Sequence, residues 1–541
     1  MNTAKNSTAL ESAPRAPALG ARIAIGLIIV LFVVILVIVS LDALAPPVPV
    51  PANASPAEFS SARAMQHLVA ISRAPHPTGS MAQVQVKDYI LKQLATLGVT
   101  SEVQETSNAT NIVAQLKGTR AGKALLLVGH YDSVAQGPGA SDDGSAVAAL
   151  LETIRALKAG AALRNDVIFL FSDGEEIGEI GANAFVYQHP LAKDVALVLN
   201  FEARGVKGPS IMFETSGQNG WLIREFAKGA SRPVANSFAY DVYKLLPNDT
   251  DLTVFKNAGF AGLNFAFVDG SEFYHTAQDN LEHLDEHSLQ HQGSYALSLA
   301  QHFGNLELEN VKDSDVVYFN LVGSKMIVYQ RSFVIPLAIL AILLFLVYVG
   351  LGLRNKQLTI RGMTAGGRAL LLSIAISCLL VTIFRLIKNA LPSIFGNHDR
   401  VLVIIAALAI VVVTSIVYLR FSKPATPIEK TTGGMCGWLI LTLLTALFMK
   451  GSSYLSIWPL LFNTIGLAIG FWPRAPFRLS PLRLAVLGIC AAPMVLLVSP
   501  VVYFVFLAVT FDSLIFSVLV STSVALLVVP FVPHLEFITY N

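Results

Sequence analysis

Charge is scarce in this chain: only 14% of its 541 residues are Asp, Glu, Lys or Arg. Set against 54% hydrophobic residues and a mean hydropathy of +0.59, that shortage excludes an ordinary soluble protein and puts part of the chain in a membrane. Cysteine is scarcer still. The three present, Cys378, Cys436 and Cys490, fall in or at the edges of long apolar runs, so the polar part of the chain has none and is not built on a disulfide framework. There is no marked excess of either charge, with 38 basic and 36 acidic residues. Basic stripes with interleaved aromatics are absent too, so no nucleic-acid partner is expected. No internal repeat or low-complexity tract is evident outside the hydrophobic tail.

What is present divides the chain into blocks. Residues 1–22 are polar and carry Lys5, Arg15 and Arg22, which marks a cytoplasmic N-terminal segment. Ile23 to Leu41 is an uncharged run long enough for a bilayer, which takes roughly 20 residues. Signal peptides have a shorter apolar core of ~7–15 residues, so 23–45 reads as an uncleaved transmembrane anchor. The Pro-rich stretch that begins 46–59 reads as a semi-rigid linker. Residues 60–312 have soluble composition with alternating helical and strand patterns, which argues for an α/β domain with a central mixed sheet covered on both faces. Beyond it, 333–535 reads as a bundle of about seven transmembrane helices. The spans are expected near 333–352, 369–390, 401–420, 436–454, 457–473, 484–507 and 514–533.

Arg354, Lys356, Arg361 and Arg368 share one loop of that bundle, Arg420, Lys423 and Lys430 a second, and Arg474, Arg478 and Arg483 a third. They alternate with charge-poor turns near Gly396, Leu455 and Phe511. If the basic loops are cytoplasmic, the N-terminus is too, and the 60–312 domain lies on the opposite face. Compact loops and an Ala-rich composition favour a bacterial inner membrane with a periplasmic domain. Asn53, Asn108 and Asn248 lie in glycosylation-type sequons, so a eukaryotic endomembrane with a lumenal domain is the alternative.

The chemistry gathers between His130 and Glu202. Leu126 to Val128 is a buried-strand pattern ending in Gly129-His130-Tyr131-Asp132. Ten residues after Asp132 comes Asp142, at the start of a helical pattern from Val147 to Leu157. Val167 to Phe171 is a second strand pattern, ending in Asp173-Gly174-Glu175-Glu176, and Val195 to Asn200 a third, delivering Glu202. Ligands in open α/β sheets collect beyond the carboxyl ends of strands, and here three strand ends carry an imidazole or carboxylate. His130 is a metal ligand whose tautomer Asp132 would fix. Asp142, with two oxygens, can bridge two metals, and Glu176 and Glu202 complete one ion each. That leaves Glu175 free to take a proton from water. A further His ligand is expected, best met by His275 in Phe273-Tyr274-His275-Thr276, where Tyr274 could donate to a developing oxyanion.

Taken singly, these features have plainer explanations: an Asp-Asp-Gly is usually a cap or turn, and a Glu-Glu a solvated face. His283, His287, His291 and His302 read as exposed on a C-terminal helix, His189 as a helix end, and Asp249-Thr250-Asp251 as a turn or cap first, with a substrate-side role second. The ordered recurrence at strand exits sets the main constellation apart.

The series His130-Tyr131-Asp132, Asp142-Asp143-Gly144-Ser145, Asp173-Gly174-Glu175-Glu176, Asn200-Phe201-Glu202 and Tyr274-His275-Thr276 resembles the co-catalytic di-zinc aminopeptidases of clan MH. The resemblance covers roughly residues 60 to 305. It implies two zinc ions per chain, one held by His130, Asp142 and Glu202 and the other by Asp142, Glu176 and His275, with Glu175 as general base. It also implies a phosphorylase/hydrolase-like fold. Soluble relatives commonly have Asp where Glu202 stands. A Glu there and the added bundle resemble the endoplasmic-reticulum and vacuolar membrane metallopeptidases. The expectation is a membrane-bound zinc exopeptidase, an aminopeptidase acting on peptides at the non-cytoplasmic face, with the lipid bilayer as its other partner. Glutaminyl cyclases, with one zinc, share the fold and are one alternative; a non-catalytic binding module on a membrane scaffold is the other.

Overall fold

The computed structural model describes residues 19–42, 44–390, 399–471, 481–508, 522–523 and 525–539. Its central sheet has seven strands: β1 (Thr100–Glu105), β2 (Thr110–Leu116), β3 (Ala124–His130), β4 (Val167–Ser172), β5 (Val195–Ala203), β6 (Ile211–Thr215) and β7 (Ala261–Phe267). Their order is β1-β2-β4-β3-β5-β7-β6. The runs that are apolar throughout rather than alternately, β3, β4, β5 and β7, form the parallel centre, while β1, β2 and β6 run antiparallel at the edges.

Helices cover both faces: α1 (Leu19–Asp42) precedes the domain, and α2 (Ser61–Ile71), α3 (Met81–Thr96), α4 (Gly144–Ala159), α5 (Ile180–Gln188), α6 (Gly220–Gly229), α7 (Ser237–Tyr243), α8 (Asp251–Asn257) and α9 (Glu286–Phe303) belong to it. Successive strand residues point to opposite faces, so Leu125, Leu127, Phe169, Phe171, Leu197 and Leu199 enter the core beneath α2, α4 and α9. Leu126, Val128, Ile168, Leu170 and Val198 enter a second core beneath α5 and α8. α2 shows how sequence sets local structure. Ser60 caps it by accepting from the Arg63 N–H, and Ala64, Leu68 and Ile71 make the buried stripe on one face.

His291 corrects an expectation. It is fully buried in α9, not exposed: its Nδ1 accepts from the Ser210 N–H at 3.1 Å and its Nε2 donates to the Arg232 carbonyl at 3.0 Å. Both ring nitrogens are used by the neutral form, and burial lowers its pKa from 6.5 to about 4. The native state therefore resists a proton that the unfolded chain accepts. This contribution, about 3 kcal/mol, is fully present above pH 6.5 and is lost as pH falls toward 4. Asp173, Asp251 and Asp279, raised to about 6, act in the opposite sense, so the test is a comparison of variants. Melting series should show His291→Asn losing less stability than the unmodified protein between these limits; parallel curves would remove His291 from the acid response.

Past the domain come a hairpin, β8 (Val316–Val322) and β9 (Lys325–Gln330), and the helices α10 (Val334–Arg354), α11 (Ile360–Ala390), α12 (Asp399–Phe421), α13 (Pro427–Phe448), α14 (Tyr454–Phe471), α15 (Pro481–Ala508) and α16 (Val532–Thr539). β8 joins two cores: Val316 and Tyr318 pack into the sheet domain, and Val317 and Phe319 into the bundle. The globular unit thus continues to about residue 330, beyond the expected limit of 312. Among the described residues, six stretches are long and apolar enough to cross a membrane: Ala24–Asp42, Arg331–Arg354, Ile360–Phe384, Pro427–Phe448, Lys450–Ile469 and Leu482–Val505. The chain is a multi-pass membrane protein.

Several boundaries differ from the hydropathy reading. α13 starts at Pro427, not near 436, because Thr426 and Glu429 form a capping box and the polar residues Glu429 to Thr432 are buried against α11. α1 is no isolated anchor: it packs on α15, where the Ser40 hydroxyl donates to the Leu496 carbonyl at 2.9 Å. The Pro-rich stretch is no free spacer either, since the Val50 N–H donates to Gln290 at 3.0 Å and the Ser60 hydroxyl to the Val50 carbonyl at 2.7 Å. Of the expected span near 514–533, residues 514–521 and 524 lie outside the described residues, and Ala525–Leu535 is a shorter apolar helix.

Candidate metal centre

Parallel register brings the expected residues together. His130 is the last residue of β3, level with Ser172 of β4, and Glu202 lies near the end of β5. Asp142 sits in the turn before α4, which approaches β3 so closely that a Cβ on Gly129 would lie 2.7 Å from the Ala146 Cβ. The Asp142–Asp143 peptide is cis. His275 arrives from the loop after β7, with φ +58, a left-handed conformation uncommon for a residue with a side chain and characteristic of functional loops.

Two triads result, His130–Asp142–Glu202 and Asp142–Glu176–His275, each with its ligand atoms within 4.8 Å of one another. His130 Nε2 lies 3.3 Å from Asp142 Oδ1 and 3.7 Å from Glu202 Oε2. His275 Nε2 lies 3.2 Å from Asp142 Oδ2 and 3.0 Å from Glu176 Oε2. Yet His275 Nε2, Asp142 Oδ2 and Glu176 Oε1 are buried with no hydrogen bond among the described residues. Lone pairs that converge without bonding one another suit cations between them, and imidazole with carboxylate suits zinc or a similar divalent ion. The two triads share Asp142 and nothing else. Glu175 belongs to neither, with Oε2 3.9 Å from His130 Nε2.

The electrostatics fit the same arrangement. Burial, then the charges of Glu202, Asp251 and Asp142, push the Glu175 carboxyl well above the usual range. Glu202 is raised by burial and by Asp143. His130 is raised well above 6.5 despite burial, through Asp132 and Asp142. His275 is raised to about 9 against its own desolvation, through Asp142 and Glu176. So many acids in one buried place hold protons that divalent cations would replace.

Asp132 is placed differently from expectation in detail. The His130 Nδ1 partner is the Asp132 backbone carbonyl at 3.0 Å, with the carboxylate 3.5 Å away. That carboxylate accepts from the Glu175 and Glu176 N–H groups at 3.2 and 3.3 Å, clamping the turn that carries both glutamates. Although burial raises it, His130 and these two N–H groups leave Asp132 below the ordinary carboxylate range. Tyr274 stacks on the His275 ring at 3.7 Å, with the Arg204 guanidinium 4.2 Å from its ring centre.

Apart from the second, substrate-side reading of Asp251, the other residues of the site were not assigned from sequence. Asp279 accepts from the Ser141 and Asp142 N–H groups at 2.7 and 3.1 Å and so holds the loop of the shared ligand. Asp251, buried at the start of α8, bonds the Ser172 hydroxyl. The Tyr243 hydroxyl is buried without a partner among the described residues, in the field of Glu214, Glu202 and Glu175. A chain of polar contacts also reaches Glu202 from the side: Lys256 pairs with Glu214, which accepts from Asn264 at 3.0 Å. Asn264 in turn accepts from Asn200 at 3.1 Å, and Asn200 donates to Glu202 Oε1 at 2.9 Å. Asn264→Leu breaks that chain, and the expected result is metal affinity lowered by roughly 10–100-fold in competition with a chelator. Unchanged affinity would make the chain structural only.

Parts of this chain resemble known proteins. Residues 111–300 match the model of peptidase family M28. Human endoplasmic reticulum metallopeptidase 1 is 29% identical over 327 residues, 53% of this chain and 36% of that protein. The vacuolar membrane protease of Candida dubliniensis is 32% identical over 275 residues, 47% of this chain and 29% of the relative. The matches therefore take in about a third of the length of these curated relatives. Among solved structures, the aminopeptidase from Aneurinibacillus sp. strain AM-1 is 14% identical with a TM-score of 0.38, covering 47% of this chain and 97% of that one.

Proposed function

We propose, from the premise that this chain carries a peptidase family M28 domain, that it is a membrane-bound, two-zinc aminopeptidase acting on peptides at the non-cytoplasmic face. The observation that carries the reading is the pair of triads sharing Asp142, with a buried carboxylate, Glu175, beside both and part of neither. Two triads also favour the peptidase over a single-zinc cyclase.

When bound, zinc ions at the triads would polarise the scissile carbonyl and make a water acidic enough to attack it. Glu175 takes the proton of that water and returns it to the departing amine, a task suited by a carboxyl that burial holds above its ordinary range. Asp132 holds Glu175 and Glu176 in register through their backbone N–H groups. We assign the hydroxyls of Tyr274, whose ring stacks on His275, and Tyr243, which lies in the field of Glu202 and Glu175, to stabilising charge on the carbonyl oxygen. Once divalent cations displace the protons these acids hold, Glu202, Asp251 and Glu175 supply negative charge that favours the free amino terminus of a substrate.

Orientation follows from charge. α10 leaves the domain at Val334, so Arg354, Lys356 and Arg361 lie at its far end, and the near end, where the turn at Lys450–Ser452 meets α7, has fewer basic residues flanking the spans, Arg331 and Lys450. This supports the domain on the non-cytoplasmic side. The test of exopeptidase action is a set of peptides offered with free and with acetylated amino termini to the purified full-length protein. Chelator-sensitive release of first residues from the free set alone is expected; internal cleavage of the acetylated set would make it an endopeptidase.

A further inference from the structure

We propose that a cavity at the junction of the peptidase domain and the bundle binds the phosphate of an anionic phospholipid headgroup. The cavity, about 410 Å³, is lined by Ser314, Asp315, Gln330, Arg331, Ser332 and Lys450. Its place in the fold comes first. Arg331 and Ser332 form the turn from β9 into α10, and Lys450 opens the turn between α13 and α14, so the cavity lies where one membrane-spanning helix leaves the domain and the turn between two others meets it. That is headgroup level.

Charge comes second. Asp315 is already engaged: its Oδ2 meets Arg331 Nη1 at 3.2 Å and its Oδ1 accepts from the Asn219 N–H at 3.2 Å. Lys450 Nζ, half-buried on the same cavity, has neither ion pair nor hydrogen bond among the described residues. The Ser332 hydroxyl donates to Gln330 Oε1 at 3.4 Å, leaving the Gln330 amide N–H groups to donate elsewhere. A cavity with two cations, one satisfied carboxylate and amide and hydroxyl donors suits a phosphate. Cations are also disfavoured at this end of the spans, where the turns are otherwise poor in charge, so two converging on one cavity call for a reason.

The apolar surface comes third. Directly beyond Arg331, Phe333, Ile335 and Ile339 are 53%, 37% and 52% exposed, a wall along α10 on which acyl chains can lie below the headgroup. A free anion would have no use for that wall. The inference rests on the membrane-spanning helices and is independent of the peptidase chemistry.

The experiment uses full-length protein, delipidated in neutral detergent and followed by native mass spectrometry. It is titrated with dihexanoyl phosphatidylglycerol, with dihexanoyl glycerol, which lacks the phosphate, and with inorganic phosphate. One saturable phosphatidylglycerol adduct per chain is expected, with none from dihexanoyl glycerol. Lys450→Glu should weaken the adduct at least tenfold at an unchanged melting temperature. If inorganic phosphate displaces the lipid at millimolar concentration, the phosphate site stands but is filled from solution, which overturns the lipid assignment. Equal adducts in the unmodified protein, Lys450→Glu and Arg331→Gln overturn the site itself.

Discussion

Glu175→Gln is expected to lower turnover by roughly 10²–10⁴-fold while zinc content stays unchanged. The substitution keeps shape and hydrogen-bonding capacity but removes the only lone-pair basicity that the mechanism needs. Neither triad includes Glu175, and the Asp132 clamp holds its backbone N–H rather than its side chain, so the metal ligands keep their places. Elemental analysis of the same preparation used for the assay separates the outcomes. Activity retained with full metal removes the general-base role. Activity lost together with metal makes Glu175 a ligand instead.

Asp142 and His275 should part company in a measurement of metal. Asp142 contributes one oxygen to each triad, so Asp142→Ala is expected to empty both, whereas His275→Ala removes a ligand from one triad only and leaves His130, Asp142 and Glu202 intact. Zinc should fall toward none per chain in the first and toward about one in the second. Turnover should fall by at least ~10³-fold in Asp142→Ala, since polarisation of the carbonyl and activation of water by the ions are each worth several kcal/mol. Equal metal content in the two variants would mean that Asp142 is not shared, and the two-ion centre would have to be redrawn.

The parts of this molecule legible in the sequence are those whose signal is local. β3, β4 and β5 are continuous apolar runs, and each ends in the residues that meet at the site. β1 was not legible because it is an edge strand with no fully buried residue and therefore no apolar run. β8 was missed because it buries both faces, one in each core, and reads as the approach to a transmembrane helix. The ligands could be found from strand ends, but their supports could not. Asn200 and Asn264 are side by side only through the β5–β7 register, and Asp279 reaches Asp142 across 137 residues of sequence. His291 carries no mark in its neighbours that separates a buried acceptor from a solvated ring; the covering of α9 by Ser210 and Arg232 decides that. In the bundle, apolar helices of membrane length lie near five of the seven expected spans among the described residues, but hydropathy did not give the start of α13, where a capping box and close helix packing bury residues that read as loop.

The central claim is a two-ion centre whose shared ligand is Asp142. The most direct test is zinc per chain in full-length protein purified in detergent, stripped with a chelator and titrated back while release of amino-terminal residues is followed. Two ions bound per chain, with release restored in step, is the expected result. Saturation and full activity at one ion per chain, or no zinc bound and no turnover, would contradict the account.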